Sequence, residues 1–194
     1  PDQGVNAAEY AVRFVARLME LREDLKHRAP TDSRFEPPWT TLSVGRISGG
    51  VAHNVIVGKA EVDWEMRPVQ ATDLAFVKDN MQQYVDNTLM PAMQQIHPEA
   101  DISTEIIAEI CGLEPMSENA ARQLLSELTG ANGADLVAFG TEAGLFQDLG
   151  LSAVVCGPGS IAQAHKPNEY IALDQLGTCL EMLTGLGRKL HGAS

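Results

Sequence analysis

Seven residues, Glu61-Val62-Asp63-Trp64-Glu65-Met66-Arg67, alternate charged and apolar without a break. Successive side chains of a strand point to opposite faces, so Val62, Trp64 and Met66 share one face and the charges the other. A chain with this segment must build a sheet with one covered face and one that is wet or lines a site. The flanking patterns place the strand in an order. From Asn6 to about Lys26, Ala11, Phe14, Val15, Leu18, Leu21 and Leu25 recur at spacings of three and four, which predicts an amphipathic helix. After a loop rich in Pro and charge, Arg28 to Pro38, the run Thr40 to Ile47 alternates apolar with small or polar residues as a strand does. Gly49-Gly50 separates it from the second strand. A helix is expected from about Asp73 to Thr88, on Leu74, Val77, Met81, Tyr84, Val85 and Thr88, and a strand near Asp101 to Ile107. The order is α-β-β-α-β, whereas a ferredoxin-like unit reads β-α-β-β-α-β. Residues 1–110 are therefore expected to be such a unit lacking its first strand.

The pattern changes after Cys111-Gly112-Leu113-Glu114-Pro115, a linker by composition. Residues 111–194 carry a helix expected to be capped by Ser117, striped by Ala121, Leu124, Leu125 and Leu128 and closed by Gly130. Two short apolar runs follow, Leu136 to Phe139 and Ser152 to Cys156, with about one short helix between them, and a last helix begins at Asp174. Continuous apolar strands alternating with helices indicate a parallel α/β sheet. Two such strands cannot make a stable sheet alone. The fold expected is thus α/β: an α+β unit without its first strand, then the C-terminal part of a parallel-sheet domain, with partner strands supplied by missing sequence, another chain or a swapped copy. Pro1 is not Met and no signal peptide follows it, so the start is read as a processed end or an internal point of a longer chain.

Composition removes several classes of function. Fourteen Lys and Arg stand against 26 Asp and Glu, a formal charge of −12, with no basic cluster, which argues against a nucleic-acid or anionic-membrane surface. No apolar run approaches the roughly 20 residues a bilayer needs. The three cysteines show no CxxC spacing, so neither a disulfide framework nor a cysteine zinc site is expected and a reducing cytoplasm fits.

Ligands in open parallel sheets bind beyond the carboxyl ends of the strands, which directs attention to two loops. Gly140-Thr141-Glu142-Ala143-Gly144 reads either as a helix start capped by Thr141 or as a set of amide and hydroxyl donors for a carboxylate or oxyanion. Gly157-Pro158-Gly159-Ser160 opens a second loop that runs through His165 to Tyr170; it lacks the GK[ST] ending of a phosphate-binding loop. His165 is either structural or a metal ligand, and a catalytic zinc site would need at least two further protein ligands, for which no HxD, HExxH or CxxC is present. A third region, Gly49-Gly50-Val51-Ala52-His53-Asn54, reads as a hairpin turn, or as a site in which Asn54 and Arg67, expected nearby on the charged face of the paired strand, grip a carboxylate. His27, His53, His97 and His191 carry no comparable signal.

GGVAHNVI, the strand ending in MRP, FGTEAGLF and VVCGPGSIAQAHKPNEYI together resemble the dinuclear-zinc amidohydrolases, the family of acetylornithine deacetylases, succinyl-diaminopimelate desuccinylases, aminoacylases and glutamate-releasing carboxypeptidases. The TEAG and CGPGS...AHKPNE stretches look closest to its acetylornithine deacetylase branch, and PDQGVNA resembles the stretch after the family's HxxxP motif. One departure is Val57, where the family often has Pro after the NVI run, and it bears on the local turn. The resemblance implies metal-assisted hydrolysis of an N-acyl amino acid, in which two zinc ions, or cobalt, activate a water that a glutamate deprotonates. It implies that His165 is a zinc ligand, that Asn54 and Arg67 reach the substrate carboxylate, in part across a homodimer, and that Gly140 and Thr141 contact substrate. Glu142 does not match the general base. The resemblance implies that the base and the other metal ligands belong to an N-terminal half that this sequence lacks and that the oxyanion histidine would sit just before Pro1, so the chain alone is expected to be inactive. A desuccinylase or general deacylase, and a non-catalytic dimerising module, are the alternatives.

Overall fold

The computed structural model describes residues 4–137 and 140–192. Two compact units emerge among the described residues, one built on residues 4–107 with Leu136 and Val137, the other on residues 108–135 and 140–192.

In the first unit, helix α1 (Ala7–Lys26) starts where expected. Asn6 caps it by accepting the Ala8 N–H at 3.2 Å and donating its own amide to Glu9 at 3.0 Å. Strands β1 (Thr41–Gly49) and β2 (Ala60–Arg67) pair antiparallel, from Thr41 opposite Arg67 to Gly49 opposite Ala60. The register slips by one residue between Val44 and Arg46, leaving Gly45 as a β-bulge. The bulge matters for the pattern: it carries Ile47, an odd-numbered residue, onto the face of Leu42 and Val44, opposite Val62. The other face of β2 is tied by exposed ion pairs, Arg46 to Asp63 at 3.5 Å, Lys59 to Glu61 at 2.7 Å and Arg67 to Glu65 at 3.1 Å.

The second helix is longer than its pattern predicts and is not uniform. Helix α2 (Ala71–Tyr84) widens into a π turn over Val85–Leu89, in which Met90 N–H bonds the Val85 carbonyl, and continues as α3 (Met90–Gln94). Pro91 explains the wide turn, because proline has no N–H to give and its ring crowds the preceding turn of a regular helix. The core forms between these helices and the sheet. Leu18, Leu21, Leu25, Leu42, Val77 and Met81 make one buried cluster, flanked by Phe14, Val44, Trp64 and Met66; Tyr10, Val85, Leu89 and Met93 make a second. Asp73 is buried at the start of α2 and accepts from Arg28 at 2.9 Å, Gln70 at 3.1 Å and Thr40 at 2.5 Å.

The strand expected near Asp101–Ile107 is not formed. Ala100 and Ile102 pack on the second cluster, but Ser103 to Ile110 is exposed and outside regular structure. A strand is held by hydrogen bonds to a neighbour, and among the described residues β1 and β2 pair with each other alone.

In the second unit, α4 (Ala120–Thr129) is capped by Asn119 and not by Ser117. The Asn119 amide accepts the Arg122 N–H at 3.0 Å and donates to the Ala153 carbonyl at 2.7 Å, a double function that a serine hydroxyl so far upstream cannot perform. Gly130, at φ +71°, ends the helix as expected. Helix α5 (Ala143–Asp148) and α6 (Leu173–Gly192) follow. The run Ser152 to Cys156 is not a strand, and neither are Leu136 and Val137; Ala138 and Phe139 lie outside the described residues. The physical reason is the same as for Asp101–Ile107: among the described residues no neighbouring strand pairs with their backbone groups. Among the described residues of this unit only Gly144 is buried, and Leu173, Leu180, Leu183 and Leu190 of α6 are all more than half exposed.

Candidate functional site

The connection between β1 and β2 is a ten-residue loop, Gly50 to Lys59, rather than a tight turn. Gly50 sits at φ +85°, a conformation that favours glycine, and the Ala7 N–H bonds the Val57 carbonyl at 2.8 Å, pinning the loop to the start of α1. Gly50, Val51, Ile56, Val57 and Lys59 surround an open concavity of about 330 Å³. Asn54 and His53 are exposed at the tip. Arg67 is not near them. It stands opposite Thr41 at the other end of the hairpin, seven residues along β2 from Ala60, roughly 23 Å at the usual strand rise. The expected pairing of Arg67 close to Asn54 is therefore corrected: within one chain the two cannot hold the same carboxylate.

The Gly140–Gly144 segment starts a helix, but Glu142 and not the expected Thr141 stands at the N-cap position, and the Glu142 side chain makes no capping bond. The Thr141 hydroxyl accepts the Ala143 N–H at 3.2 Å, which takes up one of the unpaired amides at the head of α5. Gly140 is exposed, and nothing lies within 4 Å of where a Cβ would stand. The glycine whose backbone approach is close is Gly144, which the sequence reading did not single out. A Cβ there would lie 2.8 Å from the Cys111 carbonyl carbon and from the Gly112 carbonyl oxygen. The same contact is clamped by Gln147, which accepts the Glu114 N–H and donates to the Glu114 carbonyl, both at 2.8 Å. Gly144→Ala is expected to separate α5 from the 111–114 segment, and hydrogen exchange of the Glu114 amide should quicken by about tenfold; unchanged exchange would show the approach to be dispensable. Nearby, Asp148 raises the Cys111 thiol above its ordinary range, first by accepting its hydrogen bond and then by its charge, which disfavours the thiolate a nucleophile needs.

The loop from Gly157 is shaped by side-chain bonds to its backbone. Gly159, at φ +105°, donates its N–H to Gln175 at 3.1 Å, and Ser160 accepts the Ala162 N–H at 3.4 Å. His165 is exposed at φ +59°, a left-handed conformation rare for a residue with a β-carbon. Its N–H donates to Glu169 Oε2 at 3.1 Å. Sequence reasoning passed over Glu169, although Pro167-Asn168 ahead of it is a turn signal.

Whether these residues hold a metal is decided by the donor set. An imidazole on an exposed loop is a suitable ligand, but no group of three His, Cys, Asp or Glu side chains placed to hold an ion occurs among the described residues. A catalytic zinc needs about three protein ligands, so the described residues do not make a complete site. No helix among them is long and apolar enough to cross a membrane.

Residues 1–93 match the family described as the peptidase dimerisation domain, and residues 114–189 match peptidase family M20/M25/M40. Among curated proteins, the chain is 34% identical over 188 residues to an acetylornithine deacetylase of Myxococcus xanthus, covering 94% of this chain and 46% of that one. It is 34% identical over 171 residues to one of Klebsiella pneumoniae, covering 88% and 43%, and 30% identical over 184 residues to one of Salmonella arizonae, covering 95% and 46%. The chain spans a little under half the length of these relatives. The α/β architecture and the two successive matches agree, and the chain belongs to the M20 peptidase family.

Proposed function

We propose that this chain is part of a metal-dependent deacylase that releases ornithine and acetate from N2-acetyl-L-ornithine, and that it is inactive by itself. The reading is carried by one observation: His165 presents an imidazole from an exposed loop at a left-handed residue, while among the described residues no group of three His, Cys, Asp or Glu side chains is placed to hold an ion. The curated relatives reported above, each named acetylornithine deacetylase, support the substrate. In this reading residues 1–110 act as the dimerisation unit of a homodimer and residues 111–194 as a portion of the catalytic domain. His165 is one ligand of a two-zinc site completed from outside the chain. Thr141 and Gly140 meet the substrate from the head of α5. Asn54 and Arg67, held at opposite ends of one hairpin, each meet a substrate carboxylate separately, with the exposed loop at Asn54 free to reach a partner's site. Zinc, when bound, supplies the activated water.

Ornithine release tests the proposal. The purified chain with zinc should release none above the blank. Fused behind the N-terminal half of the Myxococcus xanthus relative it should deacetylate N2-acetyl-L-ornithine, in preference to N-succinyl-diaminopimelate, and His165→Ala in that fusion should reduce the rate by about 100-fold or more. Hydrolysis by the chain alone contradicts the incomplete site. Preference for the succinyl substrate moves the assignment to a desuccinylase, and an inert fusion that dimerises tightly without zinc favours a non-catalytic module.

A further inference from the structure

The segment His165-Lys166-Pro167-Asn168-Glu169 folds back on its own first residue. The Glu169 N–H bonds the Lys166 carbonyl at 3.2 Å, with Pro167 in second place and Asn168, at φ +60°, in third. That is the residue pattern of a type II turn, in which proline presets the second position and the third needs a positive φ that asparagine tolerates. The turn brings the Glu169 side chain round so that Oε2 accepts the His165 N–H at 3.1 Å. His165 itself is left-handed, a state that persists only where the surroundings impose it. Since His165 is exposed, packing contributes little, and a charge-assisted bond to its amide is the restraint the structure offers.

We propose that Glu169 is a positioning residue for His165: its carboxylate, returned by the Pro167-Asn168 turn, fixes the His165 backbone in the left-handed state and so sets the direction in which the imidazole leaves the chain. The function of this clamp rests on the reading of His165 as a site residue; its geometry does not. A left-handed residue turns its Cα–Cβ bond to a different side from an extended one, so losing the clamp redirects the ring without removing it.

Nuclear magnetic resonance of the labelled 194-residue chain tests the clamp directly. At positive φ the amide proton and Hα of one residue are close, so His165 should show a strong intraresidue cross-peak in the unsubstituted chain. Glu169→Ala should lose that cross-peak and quicken exchange of the His165 amide while leaving the signals of the first unit in place. Glu169→Gln, which keeps an acceptor oxygen at the same reach, should retain both features. Should Glu169→Ala disturb the wider spectrum, Glu169→Asp, one methylene too short, is read in its place with the same expectation. A cross-peak that survives in the Ala or Asp variant overturns the proposal, as does its loss in the Gln variant. If the clamp behaves as described but His165→Ala leaves the fused enzyme fully active, the reading of His165 fails, and the positioning function with it, while the geometry stands.

Discussion

Replacing Asp73 by alanine is expected to lower the unfolding free energy of the first unit by about 3 kcal/mol. The carboxylate is 1% exposed and accepts from three donors, the guanidinium of Arg28, the Nε2 of Gln70 and the hydroxyl of Thr40, and Thr40 in turn accepts the Val69 N–H at 3.0 Å. Removing it strands a buried hydroxyl and a partly buried cation together, and unpaired buried donors cost far more than a made bond returns. Arg28 also lies 4.1 Å over the Phe76 ring, so its displacement would disturb packing as well as charge. Asp73→Asn keeps the volume and one acceptor oxygen and should cost about half as much. Both tryptophans, Trp39 and Trp64, belong to this unit, so urea unfolding followed by tryptophan fluorescence reads the effect without contribution from the second unit. A loss below about 1 kcal/mol for the alanine variant would mean the four groups are not acting as a network.

Leu21→Ala should cost a similar amount, about 3 kcal/mol, for a different reason. Leu21 is fully buried in the cluster that joins α1, β1 and α2, and its truncation removes transfer energy and leaves a cavity among close-packed neighbours. Leu180→Ala on α6 is the internal comparison. At 66% exposure it should change thermal unfolding of the chain by no more than about 0.5 kcal/mol. Equal losses at the two positions would contradict the distribution of buried surface described for the two units.

Leu21 also shows where sequence is a sufficient guide. The stripe Leu18, Leu21, Leu25 foretold both the helix and its buried face, because a helix whose partners are all present obeys its own periodicity. The alternation of β2 was equally legible. The pattern puts Ile47 in β1, but the face it occupies depends on the bulge at Gly45, which periodicity alone does not announce. The π turn had a visible cause in Pro91, yet nothing local says whether a proline ends a helix or widens it; the buried row on both sides of it decides. Strands failed where pairing was needed. Ile106 and Val155 have strand-forming side chains, but propensity cannot supply the neighbour that a strand requires. At the site, His165 and Thr141 were visible as residue types at loop positions, whereas Gly144 and Glu169 matter through where the backbone goes, which no motif spelled out.

The wide turn at Val85–Leu89 has a geometric consequence for the whole second helix. Val77, Met81, Val85, Leu89 and Met93 are all buried, each four residues from the last. A regular helix turns about 100° per residue, so every four-residue step drifts by about 40°, and a row that long would wind out of the core and into solvent. A turn with more residues in it advances by a smaller angle per residue and gives back part of that drift. The bulge is thus a phase correction: it keeps one ridge of side chains facing inward along the full helix, from the cluster under the sheet to the cluster that receives Ala100 and Ile102, where a straight helix could have served one of them alone.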